Sequence, residues 1–121
     1  YKRFWNDNVI NYIQNCELGK DGPRKKNFNM RWVGSLVADA SRIFSRGGIF
    51  LYPEDKRERN TNGRLRLMYE ANPIAFLIEE AGGKASDGKY NILNKEIKNI
   101  HERTPLIFGS KEEVDTFLNT E

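Results

Sequence analysis

The sequence predicts an α/β domain, a small mixed sheet flanked by helices. Three observations carry that prediction. Apolar residues from Val33 to Phe44 recur at helical spacing. Two short runs, "IFLY" (49–52) and "PLIFG" (105–109), are apolar almost throughout. Helical and strand-like patterns follow each other in the order helix, helix, strand, strand, helix, strand, helix.

Each element has its own signal. "NDNVINYIQNCELG" reads as a helix that Asn6 or Asp7 can cap, with Val9, Ile10, Ile13 and Cys16 on one face. Gly19 and "DGP" end it. The second helix has Val33, Leu36, Val37, Ala40, Ile43 and Phe44 on one stripe and stops at Gly47 and Gly48. "IFLY", apolar on both faces, belongs inside a sheet. "RLRLMY" (64–69) alternates, sending Leu65, Leu67 and Tyr69 one way and Arg64, Arg66 and Met68 the other. Asn72 can cap the next helix, with Pro73 at its first position. "KASDGKYNILN" is rich in turns, with room for one short strand. Ser110 and Glu113 have capping-box spacing before the last helix, "KEEVDTFLN".

Bulk properties narrow the function. A chain of 121 residues is one domain by length and long enough to bury a core. The longest apolar run, "IAFLI", is too short to cross a bilayer, so no membrane partner is expected. The single cysteine, Cys16, has no internal partner, and a cytoplasmic setting is the simpler expectation. The net charge of +3 is too mild to imply nucleic acid. The cations nevertheless cluster, in residues 19–26 and 56–64, as solvated loops or as a site for an anionic ligand. The start at Tyr1, without methionine, leads us to expect a piece of a longer protein.

The chemistry concentrates in two places. The helix start near Val33, Gly34 and Ser35 offers free N–H groups to an anion or hydroxyl, with Arg31 and Trp32 as neighbouring donors. Gly34 either lets a ligand reach the backbone or packs tightly. Tyr52, at the end of its strand, is a ligand or a rim residue. In the second place, Arg64 and Arg66 run into Glu70 at the mouth of an apolar helix. Glu70 either caps that helix or ligates a hard divalent cation while the arginines hold phosphate oxygens. With no second acid nearby in sequence, Glu70 is half of a metal site. His101, the only histidine, reads as a surface residue.

Four blocks, "RWVGSLVADASR", "GGIFLYP", "GRLRLMYEANPIAFLIEEAGGKASDG" and "PLIFGS", resemble the C-terminal half of the class I fructose-1,6-bisphosphatases, in order and with few gaps. The likeness covers nearly the whole chain. It implies that residues 1–121 are the sugar-phosphate-binding half of that fold, with the acidic metal-cluster half outside this chain. It implies hydrolysis of the 1-phosphate of fructose 1,6-bisphosphate, giving fructose 6-phosphate, by a full enzyme using Mg²⁺ or Mn²⁺. It further implies a homo-oligomer, a tetramer in the full enzyme, and a cytoplasmic place in gluconeogenesis.

By the same resemblance, Tyr1, Trp32 and Tyr52 match aromatic ligands of the 6-phosphate, and Arg31 matches an arginine reaching a neighbouring subunit. Gly34, Ser35 and Leu36 match backbone lying against the sugar. Arg64 stands where a lysine is usual, Arg66 matches the companion arginine taken as catalytic, and Glu70 matches the one metal ligand of this half. Trp32 departs from the usual tyrosine, and the loop 54–63 is slightly longer. A non-catalytic module for anions or nucleic acid is the alternative, as is a phosphatase for another sugar bisphosphate or an inositol phosphate.

Overall fold

The computed structural model describes residues 2–57 and 62–120. After a short 3₁₀ turn, α1 runs Asp7–Glu17 and α2 runs Leu36–Arg46. Strand β1 is Ile49–Tyr52 and β2 is Leu65–Arg66. A π-helical turn, Leu67–Ala71, leads into α3, Asn72–Glu80. Strand β3 is Lys84–Ser86, β4 is Arg103–Thr104, β5 is Leu106–Gly109 and α4 is Lys111–Leu118. No helix among the described residues is long and apolar enough to cross a membrane.

The α/β class holds, but every strand pairing among the described residues is antiparallel where a mixed sheet was expected. One sheet has the order β1-β5-β3 and the other pairs β2 with β4. The reason lies in the strand order. β1 and β3 run in the same direction, with α3 in the connection between them, but β5 inserts between the two and runs against both, so no two neighbours are parallel.

β5 is the centre. All four of its residues are buried, and they alternate between two apolar clusters as strand geometry requires. Leu106 and Phe108 join Ala40 and Ile43 of α2 and Ala75 and Ile78 of α3. Ile107 joins Val9, Tyr12 and Ile13 of α1 and Val114 and Phe117 of α4. Helices therefore cover both faces. β1 divides in the same way, with Phe50 on the first face and Ile49 and Leu51 on the second. It lies at an edge of the three-stranded sheet, against the expectation of an inner strand. Its apolar character reflects cover on both faces, not neighbours on both sides.

Gly109 closes the arrangement. A β-carbon there would run into the Gly48 carbonyl oxygen, and φ is +151. The strand can leave the sheet toward α4 only because the position has no side chain.

Three local expectations fail for physical reasons. "RLRLMY" is not a strand through Tyr69. It turns into the π-helical segment at Leu67, which puts Leu67 and Ala71 in the core and leaves Met68 and Tyr69 exposed. Asn72 does not cap α3, because the chain is already helical before it. Ser110 and Glu113 do not form a capping box. Ser110 Oγ instead accepts from Gly48 N, at 3.0 Å.

Glu113 is drawn into a buried ion network. Arg24 donates to both its oxygens at 2.6 and 2.8 Å, Lys26 pairs with it at 2.8 Å, and the Tyr12 hydroxyl donates at 3.0 Å. The basic loop 19–26 is thereby pinned onto α1 and α4. Burial opposes charge on Glu113, but the hydrogen bonds from Arg24 and Lys26 outweigh it and hold the carboxyl below its usual range. Burial also pushes the Tyr12 hydroxyl up, well out of its usual range.

A carboxyl with a depressed folded pKa stabilises the fold fully above its unfolded value and loses that contribution as pH falls through the folded one. Denaturant titrations should therefore show stability dropping as pH falls below about 4.5. Glu113→Gln should be less stable at neutral pH by about 3 kcal/mol, with a flatter acid limb. An unchanged acid limb would remove Glu113 from the account.

Candidate functional site

The site is built from two corners around one apolar cluster. The first corner comes from the approach to α2 and the end of β1. Residues 27–33 form neither helix nor strand. Gly34 then takes φ +84, a conformation that costs glycine nothing. Ser35 sits at the N-cap of α2 with extended backbone, and its carbonyl accepts from Asp39 N at 3.0 Å. Its hydroxyl makes no cap bond, so the first N–H groups of α2 stay uncapped by that side chain.

Trp32 is 62% exposed but held. Its ring stacks on Phe50, centroids 5.9 Å apart, and meets Tyr52 edge-on, also at 5.9 Å. Its Nε1 lies 3.7 Å from where a Gly34 β-carbon would stand. An indole N–H, a bare glycine backbone, a helix start and a tyrosine therefore meet at one point. Leu36 and Tyr52 are half-buried against the core cluster that contains Phe50. Arg31 is exposed, and with Trp32 it borders a cavity of about 440 Å³ between this segment, α1 and β1.

The second corner is the junction of β2 with the π-helical turn. Arg64 and Arg66 are both exposed, on either side of half-buried Leu65. Glu70 folds back so that its Oε1 accepts from Arg66 N at 3.1 Å. That is the capping role the helix start allows. It leaves acceptor capacity, since a carboxylate offers about four lone-pair positions. Glu70 does not form a metal site by itself. Among the described residues no three His, Cys, Asp or Glu side chains gather to hold an ion, and one carboxylate does not suffice.

Leu36, Tyr52 and Leu65 all pack on the same core cluster, which brings both corners to its rim. Tyr1, the remaining residue expected here, lies outside the described residues. His101 is exposed, its ring 6.3 Å from that of Tyr69, as a surface residue should be.

Sequence reasoning missed three parts. Phe50 is the platform under Trp32, hidden in an apolar run. Glu102 and Arg103 anchor the second corner: Leu67 N donates to the Glu102 carbonyl at 2.8 Å and Arg103 Nη1 to the Arg64 carbonyl at 3.0 Å. Asp39 is buried in α2, with Oδ1 accepting from Arg42 at 3.1 Å and Oδ2 without a partner among the described residues. Only the last left a sequence signal, an acid and a base three apart on one helix.

The basic clusters are largely spoken for. Beyond Arg24 and Lys26, Lys56 pairs with Asp7 at 3.6 Å and Arg57 with Asp55 at 2.6 Å. Residues 58–61 of the second cluster lie outside the described residues.

Residues 1–120 match a family model described as the fructose-1,6-bisphosphatase C-terminal domain. The chain is 62% identical over 112 residues to the class 1 fructose-1,6-bisphosphatase of Azorhizobium caulinodans, covering 93% of this chain and 34% of that protein. It is 56% identical over 118 residues to the class 1 fructose-1,6-bisphosphatase of Pseudoalteromonas atlantica, covering 98% and 36%. The crystal structure of Leishmania major fructose-1,6-bisphosphatase in holo form superposes with a TM-score of 0.86 at 38% identity, over 95% of this chain and 34% of that one. The chain thus spans about a third of the length of these relatives.

Removing the acceptor in Glu70→Ala should lower stability by about 1 kcal/mol in thermal denaturation. Glu70→Gln, which keeps a carbonyl acceptor, should lose less. Equal losses would assign the effect to charge, not to the hydrogen bond with Arg66 N.

Proposed function

The chain belongs to the fructose-1,6-bisphosphatase C-terminal domain family, and from that premise we propose that it supplies the sugar-phosphate-binding part of an enzyme that removes the 1-phosphate of fructose 1,6-bisphosphate. The products are fructose 6-phosphate and phosphate, as in gluconeogenesis. The observation that carries the reading is the Trp32 corner. Its indole Nε1 beside Gly34, the Tyr52 ring and the start of α2 offer hydrogen-bond donors and a helix dipole to one small region. That arrangement suits a phosphate monoester carried on a sugar.

In this reading Trp32 and Tyr52 hold the 6-phosphate, and the family likeness adds Tyr1 as a further ligand. Gly34, Ser35 and Leu36 present backbone to the sugar hydroxyls. Arg31, exposed at the rim, reaches the 6-phosphate of a neighbouring copy in a homo-oligomer, a tetramer in the full enzyme. Arg64 binds a phosphate oxygen as a fork where a lysine would be a point charge. Arg66 neutralises charge that develops on the transferring phosphoryl group, which makes it the catalytic candidate of this chain. Glu70 lends one oxygen to Mg²⁺ or Mn²⁺, whose other ligands come from outside these residues. The setting is cytoplasmic.

Trp32→Ala in the full-length protein should weaken fructose 6-phosphate binding by about tenfold, the loss of ~1.4 kcal/mol, by isothermal titration. Arg66→Ala should lower kcat by about a hundredfold with a smaller change in KM. An Arg66→Ala enzyme with unchanged kcat would overturn its role.

The 121-residue chain alone should show no turnover of fructose 1,6-bisphosphate with Mg²⁺. Turnover at the rate of the full-length enzyme would show that Glu70 needs no partner ligands.

A further inference from the structure

A second cavity, of about 710 Å³, lies away from the Trp32 corner. It is a polar groove between the turns that follow β3 and the strand β4. Its cations are Lys89, Lys95, Lys98 and Arg103, with His101 beside them. Its acids are Glu54, Asp87 and Glu102.

The acids do not cancel the cations evenly. Asp87 is tied to Lys95, whose Nζ lies 2.9 Å from Asp87 Oδ2 and 2.9 Å from Thr104 Oγ1. Two of the three ammonium donors of Lys95 are thus committed, and the ammonium is fixed in place. Glu102 is turned to its own loop, accepting from Lys98 N at 3.1 Å. Arg103 spends one N–H on a neutral carbonyl, that of Arg64, and keeps its charge uncompensated there. Lys89 and Lys98 are exposed and have no ion-pair partner among the described residues. Glu54 and Glu102 keep their charges, so four cations stand against three acids, and Lys89, Lys98 and Arg103 offer spare N–H donors beside the Lys95–Asp87 pair.

The wall of this groove is also the anchor of the second corner. Leu65 pairs with Thr104 and Arg66 with Arg103 in the β2–β4 ladder. The Glu102 carbonyl takes Leu67 N, and Arg103 takes the Arg64 carbonyl. A ligand drawn to Arg103 acts on the same backbone that aims Arg64 and Arg66.

We propose that this groove is a binding site for a phosphate dianion, held by Lys89, Lys98 and Arg103, and that its occupancy is felt at Arg64 and Arg66 through β4. The site is separate from the sugar pocket, so it goes beyond the proposed function. A compact dianion fits the chemistry: three cationic heads with spare N–H donors answer the oxygens of a phosphate monoester or of inorganic phosphate.

Isothermal titration of the full-length protein with inorganic phosphate, at constant ionic strength, without divalent cation and with saturating fructose 6-phosphate, tests the site. Wild type should bind one more phosphate per chain than Lys89→Glu/Lys98→Glu. Both lysines are exposed, so the fold should survive, and the milder Lys89→Gln/Lys98→Gln should weaken this binding by about tenfold. Arg66→Ala should leave it intact. Equal stoichiometry and affinity in wild type and the charge-reversed variant would overturn the site. Phosphate should also shift fructose 6-phosphate affinity by about fivefold or more in wild type and not in the variant. An affinity that phosphate leaves unmoved in wild type would overturn the coupling. Failure of fructose 6-phosphate to bind at all would count against the sugar pocket, while the phosphate comparison between wild type and variant still reads the groove.

Discussion

The double-sided burial of β5 holds the rest of the molecule in place. Its backbone pairs with β1 on one side and β3 on the other, and its side chains divide between two apolar clusters. Four helices, α2 and α3 on one face and α1 and α4 on the other, are thus organised by four residues. Complete burial of side chains such as Leu106 and Phe108 contributes about 2 kcal/mol each, but the larger effect is geometric. Once β5 is fixed, β1 is fixed in register, from Ile49 opposite Gly109 to Tyr52 opposite Leu106. Tyr52 and the platform Phe50 then stand where Trp32 can reach them. The Trp32 corner is a consequence of the ladder.

Charge does a second kind of positioning. Glu113 is one carboxylate with three donors from the far end of the sequence, and it fastens loop 19–26 over the α1–α4 face. A string of cations that invites a ligand on the page is consumed inside the fold. The reverse holds at residues 89–103, a stretch without a conspicuous basic run, where the fold gathers lysines from separate turns into one groove. Cation density along a chain and cation density in space are different quantities, and only the second attracts an anion.

The same distinction sorts what the sequence made legible. The buried run of β5 and the apolar faces of β1 are local properties, and they were readable; of the expected α2 stripe only Leu36, Ala40 and Ile43 face the core, while Val33, Val37 and Phe44 are exposed. The capping role of Glu70 at a helix start, where it accepts from Arg66 N, was readable too. Tyr12 was not, because its burial depends on Glu113 arriving from about a hundred residues away to satisfy its hydroxyl. The π-helical turn at Leu67 was not, because alternating "RLRLMY" satisfies a strand equally well. What tips it is the carbonyl of Glu102 taking Leu67 N, a contact with no local trace. Asp39 was passed over because the helical stripe counts apolar residues, and a buried acid is invisible to that count.

Trp32 shows how the corner absorbs a departure from the tyrosine that the family resemblance led us to expect. An indole is larger than a phenol and cannot accept a hydrogen bond, so it needs both space and a donor role. Gly34 supplies the turn, since its φ of +84 brings bare backbone alongside Nε1, which lies 3.7 Å from where a β-carbon would stand. Phe50 supplies a flat surface at 20° to the indole, and the Tyr52 ring meets it edge-on, its phenol able to accept where the indole cannot. Donor and acceptor are thus divided between two rings. The corner gains a rigid stacked pair in exchange for the second hydroxyl, and in the proposed reading a phosphate, which has only acceptor oxygens when fully ionised, loses little by it.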